Sequence, residues 1–150
     1  MRITLAALSV CAIIGIVFLW LQIPAQPQPE IADGLTRITL GDTTITADIV
    51  DTVPERQKGL SGRTSLDDVH GMLFVFQEDG QHVFWMKDML ISIDIIWLSV
   101  DKQVIHIVQN ATPESYPELF RPDGAARYVL EVPAGWAERH SVVLGSVATF

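Results

Sequence analysis

From Thr36 onward the apolar residues fall in short runs separated by turn residues, and none forms a helix long enough to cross over a parallel sheet. That pattern confines the chain to β architectures built from short strands. Thr36-Arg37-Ile38-Thr39-Leu40 and Thr44-Ile45-Thr46-Ala47-Asp48-Ile49-Val50 alternate with period two around Gly41-Asp42, which suits a tight hairpin turn. Further strands are predicted at 71–76, 83–86, 91–100, 104–108 and 128–132, and residues 142–150 close with one or two edge strands. Thr52-Val53-Pro54-Glu55 has the spacing of a capping box and predicts a helix of about two turns, stopped at Gly59 or Gly62. A second short helix is expected after Pro133-Ala134-Gly135. The fold class is therefore mainly β: a single antiparallel β sandwich or small barrel with one or two short helices.

The first 25 residues address the chain. Met1-Arg2 precedes an uncharged, mostly apolar stretch from Ile3 to Ile23, which ends before Pro24-Ala25-Gln26-Pro27-Gln28-Pro29. A secretory core takes about 7–15 apolar residues and a spanning helix about 20, so residues 1–25 read as a signal peptide or as an N-terminal membrane anchor. Cleavage after Ala25 fits the first reading. Trp20 at a membrane interface, with residues 26–35 as a Pro/Gln-rich tether, fits the second. Either way residues 36–150 are expected outside the inner membrane, periplasmic or held at the membrane by the uncleaved segment. About 120 residues then remain for one hydrophobic core.

Charge and cysteine usage exclude several classes. The net charge is −8, and the ten Lys and Arg are scattered, so the stripe that phosphate backbones require is missing and no nucleic-acid partner is expected. The single cysteine, Cys11, lies in the leader. With it go disulfides, thiolate metal ligands and a cysteine nucleophile for the exported part, so packing alone must hold the fold.

Two acids stand out. Asp94 lies mid-strand between Ile93 and Ile95, and Glu131 sits the same way in Leu130-Glu131-Val132. A carboxylate flanked by bulky apolar groups is costly to bury unless paired, so partners such as Arg63, Lys87 or backbone amides are expected. With Arg63, the two acids would make a catalytic acid/base site if they converge in a pocket; if they do not, each satisfies loop amides or one arginine and ties the barrel together. Phe74, Phe76, Phe84, Trp85 and Trp97 are expected to be mostly core; alternatively Trp85 or Trp97, with Trp136, lines a groove that stacks a sugar or holds an apolar ligand, and Lys87 is a further candidate binding residue. His70, Met72, His82, Met86, Met89 and His106 have the softness of a copper site but no repeated ligand spacing, and Met in apolar strands is usually core; no metal and no cofactor is expected. No nucleophile elbow, phosphate loop or zinc-hydrolase motif is present.

The chain resembles the domain of unknown function 192 family from about Ile38 to Ala148. The resemblance rests on Arg56-Gln57-Lys58-Gly59-Leu60 with Arg63, Gly71-Met72-Leu73-Phe74-Val75-Phe76, Trp85-Met86-Lys87, Ile93-Asp94-Ile95-Ile96, and Tyr128-Val129-Leu130-Glu131 with Gly135. Ser61, Asp88-Met89 and Ser92 stand where the family pattern has Met, Asn-Thr and Pro. The resemblance implies a small, often exported β domain and no established reaction. The expected role is a non-enzymatic envelope module that binds a small ligand or an envelope protein; the alternative is an envelope enzyme, such as a hydrolase, using Asp94 and Glu131 with Arg63.

Overall fold

The computed structural model describes residues 34–150. The signal or anchor expected at residues 1–25, and the tether apart from its last two residues, lie outside that range. Among the described residues no helix is long and apolar enough to cross a membrane.

Six strands form one mixed sheet in the order β1-β2-β3-β6-β4-β5. They are β1 (Leu35–Leu40), β2 (Thr43–Val50), β3 (His70–Gly80), β4 (Ile93–Leu98), β5 (Val104–Ala111) and β6 (Ala126–Pro133). Two short helices, α1 (Val53–Lys58) and α2 (Trp136–Arg139), and a 3-10 turn at Pro113–Ser115 complete the elements. The mainly β class with two short helices is as the sequence reads. The expectation of an antiparallel arrangement needs one correction, because β2 and β3 run parallel while the other four pairings are antiparallel. A parallel neighbour requires a crossover of a dozen or more residues, and residues 51–69, which contain α1, supply it.

The β1–β2 turn is Gly41-Asp42, with Leu40 opposite Thr43. Gly41 has φ +66°, and a Cβ there would lie 2.1 Å from the His140 carbonyl oxygen, so backbone freedom and close approach both demand glycine. The capping box forms as expected: Glu55 N–H donates to Thr52 Oγ1 at 3.4 Å, and Thr52 N–H donates to the Glu55 carboxylate at 3.2 Å. Gly59 ends α1, its N–H donating to the Glu55 carbonyl at 2.8 Å.

Two predicted strands are absent as strands. Residues 83–86 make only an isolated bridge between Phe84 and Phe120, because this segment runs over one sheet face and buries Met86 instead of extending an edge. Residues 142–150 make bridges at Val147 and Thr149 alone. They act as a clasp: Thr149 exchanges hydrogen bonds of 2.9 and 3.0 Å with Thr39 of β1, while Val104 N–H of β5 donates to the Ser146 carbonyl at 2.8 Å. Both sheet edges are thereby engaged by one segment, which blunts the pairing hazard of a free edge. The sheet itself stays open.

Each face of the sheet carries its own core. One contains Ile38, Leu40, Leu73, Ile96, Leu130, Val132 and Trp136, with Val142 and Ala148 from the clasp. The other contains Leu60, Met72, Phe74, Met86, Met89, Ile93, Ile95, Trp97 and Val129. Covering both faces explains why all six residues of β4 are buried. Large side chains such as Trp97, Trp136, Phe74 and Ile96 are fully enclosed. Each contributes about 1.5–3 kcal/mol by burial, which is how the domain holds without disulfides.

Candidate functional site

Asp94 and Glu131 occupy opposite faces of the sheet. Across the β4–β6 ladder Asp94 faces Val132 and Glu131 faces Ile95. Directly opposed residues share a face and successive residues alternate, so the one-residue offset sends the two carboxyls through opposite sides. The acid pair of the enzymatic alternative does not assemble.

Asp94 is wholly buried on the Trp136 side. Its Oδ1 accepts from the N–H of Asn110 at 2.8 Å and of Gly135 at 2.9 Å, and its Oδ2 accepts from Ala137 N–H at 2.9 Å. Of the partners expected from sequence, the backbone amides are the ones it has. The carboxylate ties β4 to the end of β5 and to the start of α2, and Gly135 (φ +74°) and Asn110 (φ +54°) both adopt left-handed backbone there. Three hydrogen bonds from main chain compensate the buried carboxylate, and its complete burial keeps it out of reach of a ligand.

Glu131 lies on the other face at the floor of a cleft. The cleft holds about 590 Å³. One wall comes from α1 and the loop after it, with Arg56, Lys58, Gly59, Leu60 and Ser61; the other comes from residues 82–89, with Phe84, Trp85, Lys87 and Asp88. Phe74 and Phe76 of β3 complete the lining. Phe74 and Phe84 meet edge to face with centroids 4.8 Å apart, and His82 stacks on Phe76 at 3.5 Å. Gly59 lets the loop close in: a Cβ there would meet the Phe74 ring at 3.3 Å.

Glu131 is 5% exposed, and its buried Oε2 has no hydrogen-bond partner among the described residues. Burial pushes its pKa up to about 8, and the Arg63 charge pulls it only partly back. At neutral pH the group is therefore mainly a protonated acid, able to donate a hydrogen bond into the cleft. Burial also lowers the His82 imidazole, opposed by hydrogen bonds to backbone.

The remaining candidates separate cleanly. Arg63 is exposed and ion-paired with Asp48; it lines a smaller recess of about 340 Å³ that shares Lys58, Gly59 and Ser61 with the cleft. Trp85 is 51% exposed at the cleft wall, with the Lys87 ammonium 5.9 Å from its ring centroid. Trp97 and Trp136 are core residues on opposite faces, their indole N–H groups donating to the carbonyls of His82 at 2.8 Å and Asp68 at 3.0 Å. Met72, Met86 and Met89 are buried in the core beneath the cleft. Among the described residues no three His, Cys, Asp or Glu cluster as metal ligands. Sequence reasoning missed Arg56, Lys58, Phe74, Phe76 and His82 as lining residues. The signal was the basic Arg56-Gln57-Lys58 immediately before Gly59, a cationic helix end aimed at a turn.

Fold and cleft together define a small mixed-sheet β domain with an aromatic-walled, ligand-sized cleft over a buried acid. The chain belongs to the domain of unknown function 192 family (DUF192, "Uncharacterized ACR"), whose sequence profile matches residues 36–150. It is similar to a structure from Sinorhizobium meliloti 1021, provisionally described as a transcription regulator, at 28% identity and TM-score 0.72 over 75% of this chain and 91% of that one. It is also similar to a protein of unknown function from Novosphingobium aromaticivorans DSM 12444, at 29% identity and TM-score 0.71 over 85% of this chain and 94% of the other. No curated protein matches the chain.

Proposed function

We propose that the protein is a non-enzymatic binding module, exported by its apolar leader, that takes a small ligand in the cleft over Glu131. The observation that carries this reading is a carboxyl group, buried and unpartnered, on a residue that lines a cleft of ligand size. A ligand would supply the hydrogen-bond partner that the acid lacks. The provisional description of the Sinorhizobium protein does not transfer readily, because a net charge of −8 without a basic stripe is poorly suited to DNA.

Acid catalysis by Glu131 is the second reading, favoured by its raised pKa. It has less support. Asp94 is on the far face, and the Ser61 hydroxyl on the cleft wall is engaged with the Lys87 carbonyl at 3.1 Å. On that reading Glu131→Gln abolishes turnover while binding persists.

Binding in the cleft is tested with 8-anilinonaphthalene-1-sulfonate on the full chain. One saturable site per chain is expected, lost in Ser61→Trp, which fills the cleft from its wall while circular dichroism still reports a folded sheet. Absence of saturable binding, or unchanged binding to a folded Ser61→Trp variant, would overturn the proposal.

A further inference from the structure

Three cations without a carboxylate partner among the described residues converge on the cleft. Arg63, Arg127 and Arg139 are each paired, with Asp48, Asp79 and Asp68 respectively. Of the other described Lys and Arg, which have no side-chain carboxylate partner, Arg37, Lys102 and Arg121 do not line the cleft, whereas Arg56, Lys58 and Lys87 all do. Arg56 is fixed in place: its Nη1 donates to the carbonyl of Asp51 and, at 3.0 Å, to that of Val75, while its guanidinium lies 5.1 Å from the Phe76 ring centroid. In a chain of net charge −8 such a grouping is a local reversal of sign. The acid among them at the surface is Asp88, and the floor is Glu131.

The walls add shape. Phe84 and Trp85 add aromatic surface to the lining, which suits a flat apolar body. We infer that the ligand of this cleft is a small anion with a flat apolar body, its charged end held by Arg56, Lys58 and Lys87 and a neutral oxygen acceptor at its inner end meeting the Glu131 carboxyl. The inference rests on the reading of the cleft as a ligand site and specifies the chemistry that site selects. Protonated, Glu131 donates to a carbonyl or hydroxyl oxygen; ionised, it offers no donor and repels the anion. Affinity therefore falls as pH rises through about 8. The charged and titratable groups facing Glu131 are Arg63 with its partner Asp48, Lys58 and Arg56 from the α1 side, and His82, Lys87 and Asp88 from the opposite wall. Glu131→Gln isolates its contribution from theirs, since the amide keeps a donor and does not titrate.

The test uses the full chain and three probes: 6-hydroxy-2-naphthoate, with both an anionic end and an oxygen acceptor; 2-naphthoate, without the acceptor; and 2-naphthol, without the anion. At neutral pH 6-hydroxy-2-naphthoate is expected to bind about tenfold more tightly than either, corresponding to one charge-assisted or buried hydrogen bond. The Lys58→Ala/Lys87→Ala double variant is expected to remove the advantage over 2-naphthol, and Glu131→Gln to bind 6-hydroxy-2-naphthoate without the decline above pH about 8. Equal affinity for 2-naphthol and the anions, with Ser61→Trp still abolishing all binding, would overturn the anion inference and leave the cleft as a ligand site. No binding of any probe would overturn both.

Discussion

Asp94→Ala is expected to destabilise the domain by about 3–5 kcal/mol, because three backbone N–H groups lose a buried charged acceptor together. For a domain of this size that is a fall in Tm on the order of 10–20 °C, read by thermal denaturation. Asp94→Asn should lie between wild type and Asp94→Ala. Its side-chain oxygen can replace Oδ1 toward Asn110 and Gly135, but its amide would turn a donor toward the Ala137 N–H. A folded Asp94→Ala protein melting within a few degrees of wild type would show that this carboxylate does not hold α2 and the end of β5 in place.

Glu131→Gln is expected to act in the opposite direction, and only at higher pH. The pKa of Glu131 is about 8 in the folded chain and about 4.5 when exposed by unfolding. A group whose folded pKa is raised contributes stability that is fully present below about pH 4.5 and is lost as pH rises through about 8. Between those values the folded chain holds one more proton than the unfolded chain. The Glu131 contribution then falls by about 1.4 kcal/mol per pH unit. Glutamine removes this dependence and leaves every other titration in place, so the stability of Glu131→Gln relative to wild type should grow steadily across the window and level off above it. Urea denaturation of both proteins between about pH 5 and 9 reads this difference directly. Parallel profiles would mean that Glu131 is ionised at neutral pH in the folded chain.

The two variants diverge because the two acids differ in environment, which the sequence presents as nearly identical. Ile93-Asp94-Ile95 and Leu130-Glu131-Val132 are both acids in apolar strands. What separates them is the register of β4 on β6, a long-range quantity that no local pattern encodes. The partner of Asp94 was equally hidden, since its amides come from residues 16, 41 and 43 positions away. Local features were legible: the Gly41-Asp42 turn, the Thr52–Glu55 capping box and the short helix after Gly135 are each set by a few adjacent residues. The parallel β2–β3 pairing was not, because short strands predict their own existence and say little about which neighbours they choose. The segment 83–86 has the composition of a strand, but its apolar residues serve a cleft wall and the core beneath it. Of the proposed binding residues, Trp85 and Lys87 reach the cleft while Trp97 and Trp136 are core, a distinction that depends on which face a residue meets rather than on residue type.

The cleft is built over an acid that its burial holds neutral at physiological pH. Carbon-13 NMR titration of the Glu131 side-chain carboxyl, assigned by comparison with Glu131→Gln in the full chain, measures that protonation directly. A midpoint near 8 is expected, and a midpoint near the ordinary glutamate value of 4.5 would show that the acid is ionised at neutral pH and that the cleft has no neutral donor at Glu131.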